Sequence, residues 1–328
     1  MILVTGGAGY IGSHVTRDML VKGYKVAVLD NLSTGHLEAV DKRAIFIFGD
    51  IGDERLLEQV FKRFPIRAVM HFSSSCLVGE SVRNPMKYYQ NNVEKTIRLI
   101  NKMLAHQITR LIFSSTCATY GIPTGTVLTE DHGLHPINPY GRSKLMIETI
   151  LKDLSESNGL HYVSLRYFNV AGAHPSAEIG EDHFPETHLI PNVLQHLQGK
   201  TKEVSIFGGD YHTPDGTCVR DYIHVCDLSD AHILALEYLV QSNLVSDIFN
   251  LGNERGYSVL DIIKSCEAIT NRQARVKVLP KRFGDPPLLV ASSEKIRNVL
   301  GWIPKHNLEQ IIRTAWNWHE KHPEGFPK

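Results

Sequence analysis

The sequence predicts an α/β protein: a doubly wound parallel sheet with helices on both faces, joined to a smaller, interleaved α/β substrate-binding domain. Three observations carry this. Short apolar runs alternate with longer amphipathic ones through the first half of the chain, as strands alternate with crossover helices. The first run, Met1 to Val4, breaks into glycines and resumes at once with helical spacing. The regularity fades past Asn169, and 328 residues are long for one core and comfortable for two lobes.

The glycines come first. Gly7-x-Gly9-x-x-Gly12 places three residues without Cβ where a chain must turn, approach a pyrophosphate with bare backbone, and lay a helix close on a strand. The phosphates would face the unpaired N–H groups and positive dipole end of that helix. Lys25 to Leu29 reads as the second strand and ends on Asp30, eighteen residues past Gly12. A carboxylate there accepts from the adenosine ribose hydroxyls and repels a 2′-phosphate, so the expected cofactor is NAD rather than NADP. Strand, turn, helix, strand and acid in this order make the domain Rossmann-type.

Ala44 to Phe48 is the third strand, ending at Gly49-Asp50-Ile51. Asp50 beside apolar Ile51 is placed either to meet the adenine edge or to serve as a plain acid before a helix. Asp53 caps the helix Glu54 to Phe64, with Leu56, Leu57, Val60 and Phe61 on one face. Ala68 to Phe72 is the fourth strand, and Leu111 to Phe113 lies in the fifth, with a long helix from about Pro85 to Ala105 between them. Ser73-Ser74-Ser75 and Ser114-Ser115-Thr116 follow these strands, on the rim where open α/β sheets bind ligands. His161 to Asn169 is the sixth strand, followed by a Gly, Pro and His-rich stretch to Pro191 assigned to a substrate lobe.

Val204 to Phe207 and Val219 to Val225 are short strands, Asp227 to Leu239 is helical, and Asp247 to Leu251 is a further strand. Ser258 caps a helix, and Glu309 to His319 forms the last one. The helix after Asp227 and the strand ending near Asn250 read as sheet elements returning after an excursion. The expected division is therefore residues 1–168 with about 218–250 for NAD, and 169–217 with 251–328 for substrate.

Asn138-Pro139-Tyr140-Gly141-Arg142-Ser143-Lys144 opens a helix, Pro139 suiting its first position. Tyr140 and Lys144 then share one face. A phenol titrates near ~10, and lowering it about three units takes roughly 4 kcal/mol of preference for phenolate. An ammonium one turn away and an oxidised nicotinamide supply it, Lys144 also reaching the nicotinamide ribose. Thr116 offers a hydroxyl to the same substrate oxygen. Tyr140 and Lys144 form the one Y-x-x-x-K match in the chain.

Thirty-five basic and thirty-five acidic side chains cancel, so neither nucleic acid nor an anionic membrane is an expected partner. The longest uncharged run, Leu111 to Thr129, is too polar to span a bilayer. Five scattered cysteines without C-x-x-C suit a reducing cytoplasm and no structural zinc. Seventeen histidines show no H-E-x-x-H or other ligand spacing, and no metal is expected.

With these residues in view, the chain resembles the extended short-chain dehydrogenase/reductases and, within them, the UDP-galactose 4-epimerases, over nearly its whole length. The resemblance rests on Thr5 to Gly12, Asp30-Asn31, His71-Phe72 with Val78-Gly79-Glu80-Ser81, and Tyr140 to Lys144. Its more specific segments are Arg166-Tyr167-Phe168-Asn169 with Gly172-Ala173-His174-Pro175, and Asp215-Gly216-Thr217 with Val219 to Val225. It implies an isomerase in which NAD takes a hydride from C4 of a UDP-hexose while Tyr140 removes the hydroxyl proton; the 4-keto sugar then turns over and is reduced on its other face. It implies NAD contacts from Gly6, Tyr10, Ile11, Asn31, Phe72, Ser73, Ser74 and Tyr167. It places Asn169, Arg220 and Arg282 on the UDP diphosphate, Asp285 on the uridine ribose, Leu189 by the uracil, and Leu289 around the sugar's C2 substituent, with room for N-acetyl sugars. It also implies a homodimer joined through the helices near 85–105 and 140–155. Cys76 stands where many relatives carry lysine, Ser73-Ser74-Ser75 replaces a more apolar triplet, Thr116 replaces serine, and His188 stands where an asparagine often meets the diphosphate.

Two rival readings exist. Sugar-nucleotide dehydratases or decarboxylases carry an acid directly after the catalytic hydroxyl residue, where this chain has Cys117; without it, elimination lacks its acid and base pair. A non-catalytic NAD-sensing protein would have no need of Thr116, Tyr140 and Lys144 together.

Overall fold

The computed structural model describes residues 1–123, 125–241, 246–282 and 285–327. The first half runs β1 (Ile2–Thr5), α1 (Tyr10–Val21), β2 (Val26–Asp30), β3 (Ile45–Phe48), α2 (Glu54–Arg63), β4 (Ala68–His71), α3 (Val78–Arg83), α4 (Pro85–Tyr88), α5 (Lys95–Ala105), β5 (Arg110–Thr116), α6 (Pro139–Asn158) and β6 (His161–Tyr167). The second runs β7 (Asn169–Ala171), α7 (Leu189–Leu197), β8 (Val204–Phe207), β9 (Val219–His224), α8 (Val225–Gln241), β10 (Asp247–Leu251), β11 (Gly256–Ser258), α9 (Val259–Thr270), β12 (Val276–Leu279), β13 (Leu288–Leu289), α10 (Glu294–Leu300) and α11 (Leu308–Lys321). Local chemistry sets the helix ends. Asp53 accepts from the N–H groups of Arg55 and Leu56 before α2, and Asn138 accepts from Gly141 before α6, with Pro139 at its first position. Helix α6 stops at Gly159, which takes the left-handed conformation.

The chain forms two compact units, Met1–Tyr120 with Leu134–Arg166 and Ser229–Phe249, and Gly121–Gly133 with Tyr167–Leu228 and Asn250–Lys328. The first carries a seven-stranded sheet in the order β10-β6-β5-β4-β1-β2-β3, with β1 parallel to β2 and β4. Strands β1, β2 and β4 are buried throughout, which is why they read as continuous apolar runs. Chain order reverses between β1 and β4, and ligands of open α/β sheets bind at the carboxyl ends beside such a reversal. Leu3, Leu29, Val69, Leu99, Leu111, Ile147 and Leu151 belong to this unit's core. The second unit has a four-stranded sheet in which β9 pairs with β7, β11 and β13, and a parallel pair β8–β12; its core includes Ile190, Leu194, Ile206, Ile262, Ile311 and Trp316.

The expected helix from Pro85 to Ala105 runs without a gap and carries a π-helical turn at Tyr89–Glu94, which buries Asn92. Two expectations need correction. The sixth strand breaks at Phe168, because β6 and β7 pair in different sheets. Residues 218–228, expected with the first lobe, belong with the second unit because β9 finds its partners there, and residues 121–133 join them through the Leu128–Ala291 bridge. Among the described residues no helix is long and apolar enough to cross a membrane.

Candidate active site

The glycine turn in the first unit closes on backbone. Gly6 takes a φ of +74°, and a Cβ there would lie 2.6 Å from the Ser73 nitrogen at the end of β4. A Cβ on Gly12 would lie 2.3 Å from the Gly6 carbonyl, and one on Gly7 would lie 2.8 Å from Val28. Positions 6, 7 and 12 therefore admit no side chain, and the turn leads directly into the N-terminus of α1. Asp30 closes β2 against this turn: its carboxylate accepts from the N–H groups of Ala8 at 3.0 Å and Leu32 at 2.8 Å. A carboxylate has lone pairs beyond these two for a pair of hydroxyls, so the residues fit an adenosine ribose and pyrophosphate. The Asp50 carboxylate, expected at the adenine, is shared by Asn31 at 2.8 Å, Lys95 at 2.7 Å and the Gly52 N–H at 2.7 Å. Ile51 is buried in the core, Tyr10 packs edge-on against His14, and Phe72 lies against His232. Ser73 and Ser74 are half-buried and Cys76 exposed.

Thr116, Tyr140 and Lys144 come together at the carboxyl end of β5. Residue 141 has to be glycine here: a Cβ would sit 2.4 Å from the Ala118 carbonyl oxygen, so its absence lets α6 begin against the turn that follows Thr116. The Thr116 hydroxyl oxygen accepts from the Ala118 N–H at 3.1 Å, and the Tyr140 ring packs edge-on to Tyr88. Lys144 is almost wholly buried, donates to the Ser114 carbonyl at 2.7 Å and lies over the Phe113 ring. Burial lowers its ammonium to about 8, against the opposing pull of Cys76 and Glu148.

Two supports of this assembly escaped the sequence reading. Glu148, one turn beyond Lys144 on α6, makes a buried ion pair with Arg166 of β6, Nη2 to Oε2 2.5 Å, and accepts from the Ser115 hydroxyl at 2.5 Å. Arg166 also donates to the Tyr120 hydroxyl at 3.0 Å. The network ties β5, α6 and β6 in one register, and removing either charge would strand the other. Its signal was the 140, 144, 148 spacing. Buried Asn92 donates to the Ser143 hydroxyl at 3.1 Å and exchanges hydrogen bonds with the Ser75 backbone, a link that no sequence spacing announces.

In the second unit, strand pairing places three of the expected substrate residues, Asn169, Arg220 and Leu289. Asn169 of β7 lies opposite Tyr222 of β9, and Leu289 of β13 lies opposite Arg220. The Arg220 guanidinium pairs with Asp285, so these two enter as an ion pair. Arg282 is exposed, with its guanidinium 3.7 Å from the centre of the Phe207 ring; Phe283 and Gly284 lie outside the described residues. His188 and Leu189 stand at the start of α7, and Tyr167 ends β6, buried. Ahead of α7, Glu181, His183, Glu186 and His188 converge, an arrangement the search for helical ligand spacing missed because an irregular segment forms it. Burial disfavours the His188 imidazolium, but Glu181 and Glu186 outweigh it and raise the group well above its ordinary value.

A profile described as the NAD dependent epimerase/dehydratase family matches residues 2–252. UDP-glucose 4-epimerase from Halalkalibacterium halodurans is 50% identical over 99% of this chain and 97% of its own length. The crystal structure of UDP-glucose 4-epimerase from Brucella ovis in complex with NAD is 45% identical and superposes with a TM-score of 0.93 over 96% of this chain and 97% of that one. That of the Bifidobacterium longum enzyme in complex with NAD+ and UDP is 38% identical, with a TM-score of 0.95 over 99% of both chains. The chain belongs to the NAD dependent epimerase/dehydratase family.

Proposed function

We propose that this chain is an isomerase that interconverts UDP-glucose and UDP-galactose at C4 of the hexose. The observation that carries the reading is the close approach of α6 at Gly141 to the Ala118 carbonyl in the turn after Thr116, which supports a catalytic role for Tyr140 and Lys144. NAD, when bound, supplies a reversible hydride acceptor, so the reaction has no net redox change. Tyr140 takes the proton of the C4 hydroxyl as that carbon is oxidised and returns it as the carbon is reduced. The buried Lys144 ammonium stabilises the phenolate, and the Thr116 hydroxyl steadies the same oxygen. The 4-keto sugar has to turn over, so the protein must grip the nucleotide and leave the hexose loose. Asn169, His188, Arg220 and Arg282 hold the diphosphate in this reading; one unit pair near ~4 Å at an effective dielectric of ~20 is worth about 4 kcal/mol before desolvation. Asp285 takes the uridine ribose, Leu189 the uracil, and Leu289 the C2 side of the sugar, where N-acetylhexosamines also fit.

The first unit is then the NAD domain and the second the UDP-sugar domain, acting in galactose metabolism in the cytoplasm, for which five free cysteines are suited. Exposed Val82, Met86 and Met146 on α3, α4 and α6 favour a homodimer through this face. The test is conversion of UDP-galactose to UDP-glucose by purified protein with no added reductant, set beside Tyr140→Phe. The variant is expected to keep NAD and UDP bound and to lose about 100-fold or more in turnover. Unchanged turnover with full NAD occupancy refutes the role of Tyr140, and a 6-deoxy product identifies a dehydratase instead.

A further inference from the structure

We propose that Glu181, His183, Glu186 and His188 form a site for one divalent transition-metal ion, with zinc the best fit. The four residues lie within eight positions of the chain, and each offers one ligand atom, all within 4.8 Å of one another. From His188 Nδ1 the nearest oxygens are Glu181 Oε1 at 2.6 Å and Glu186 Oε1 at 3.2 Å. From His183 Nδ1 they are Glu181 Oε1 at 3.1 Å and Glu186 Oε2 at 3.9 Å. Ligands about 2.0–2.1 Å from a tetrahedral ion lie roughly 3.3 Å from each other. The contacts of the cluster, 2.6 to 3.9 Å, bracket that spacing, so small side-chain adjustments would close it around an ion. Nδ1 of His188 is shut off from solvent and, although 2.6 Å from Glu181 Oε1, is not aligned for a hydrogen bond to it.

Donor chemistry selects the ion. Two imidazole nitrogens and two carboxylate oxygens suit zinc and its first-row neighbours, whereas magnesium and calcium take oxygen shells. The two carboxylates would also cancel the ion's charge. The ligands are held in place from outside. Glu186 Oε1 accepts from the N–H groups of Thr187 at 2.7 Å and His188 at 2.8 Å. Trp318 Nε1 donates to the Glu181 carbonyl at 3.1 Å, and Gly180 lies so close to that indole that a Cβ would stand 2.4 Å from it. The segment is thereby pinned to α11, the kind of outer support that orients metal ligands. Both carboxylates are nearly covered while the His188 ring is 41% exposed, which leaves an ion a route from solvent. Such an ion would brace the chain immediately before α7.

The test is calorimetry and thermal unfolding of the chelator-treated full-length protein with zinc chloride, and with magnesium chloride as the control. One zinc per chain is expected, with a rise in unfolding temperature that magnesium does not reproduce. Cobalt(II) is expected to give the strong visible absorption of a tetrahedral site. His183→Asn and, separately, Glu181→Gln are each expected to weaken zinc by at least about 100-fold, the upper range for loss of mere outer-shell support, with circular dichroism unchanged. If one variant does not fold, the other and the native protein's own stoichiometry decide. A native protein that binds no zinc overturns the proposal and leaves the cluster an imidazolium–carboxylate network. Zinc binding undiminished in a folded variant overturns it too, by placing the ion on other histidines.

Discussion

Adding one methyl group at position 141 is expected to separate catalysis from stability. The Ala118 carbonyl lies inside the tight turn Cys117–Thr119, whose flanking peptides are held by the Ala118 N–H to Thr116 and the Tyr120 N–H to Cys117, so it has little freedom to swing away from a new Cβ. Carbon and oxygen approach to about 3.3 Å even in close backbone contacts, and Gly141→Ala offers 2.4 Å, so α6 must withdraw by roughly 0.9 Å at its first turn. Tyr140 moves with it. A displacement on the order of 1 Å between reacting groups costs about 100-fold in rate. The stability cost is smaller, because about 1–3 kcal/mol of overpacking is opposed by up to about 1 kcal/mol of helix propensity gained over glycine. The expected result is turnover lowered about 100-fold, with KM within a few-fold, NAD retained and the unfolding temperature lowered by a few degrees. Gly79→Ala is the control, since a Cβ there meets nothing within 4 Å, and it is expected to leave turnover, KM and NAD binding in place without lowering the unfolding temperature. If Gly141→Ala keeps turnover within threefold of the native protein, the contact with Ala118 does not position Tyr140.

Asp30→Ala removes the charge proposed to meet the adenosine ribose and is expected to narrow the preference for NAD over NADP, measured by competitive cofactor binding; recovery of the native protein with NADP in place would contradict this. Burial, helped by Lys144, lowers His71 to about 3, while its unfolded value is about 6.5. Between these pH values the unfolded chain binds the extra proton, so stability falls as pH drops below about 6.5, by up to about 1.4 kcal/mol per unit from this group. Urea titrations from neutral to mildly acidic pH should show a shallower loss in His71→Asn, and parallel losses would remove His71 as the cause. Leu289→Tyr is expected to lower kcat/KM for UDP-N-acetylgalactosamine more than for UDP-galactose, because the acetamido group has to share a site where Leu289 is already buried; equal losses would move the gate elsewhere.

Much of the fold and part of the site can be read from consecutive residues, because the constraints behind them are local. A parallel strand buried on both faces needs an unbroken apolar run, and β1, β2 and β4 show one. A backbone that must meet another backbone needs glycine, as at Gly6 and Gly12. Two side chains on one helical face need a spacing of four, which exposed Tyr140 and Lys144 and also offered Glu148. What lay beyond the sequence are the relations that have no period. Whether Val219 to His224 joins one sheet or another depends on strands about thirty-five to seventy residues away, and the break at Phe168 follows from the same competition for partners. Asn92 reaches Ser75 and Ser143 through a π-helical turn, and Gly141 meets Ala118 across two elements. Glu181, His183, Glu186 and His188 converge in a segment without regular structure, where spacing along the chain says nothing about distance in space. The sequence alone determined the sheet, the glycine turn and the one-face spacing of Tyr140 and Lys144; only the tertiary structure decided what holds those two residues in place and where four potential metal ligands meet, because both depend on side chains and backbones brought together by packing rather than by periodicity.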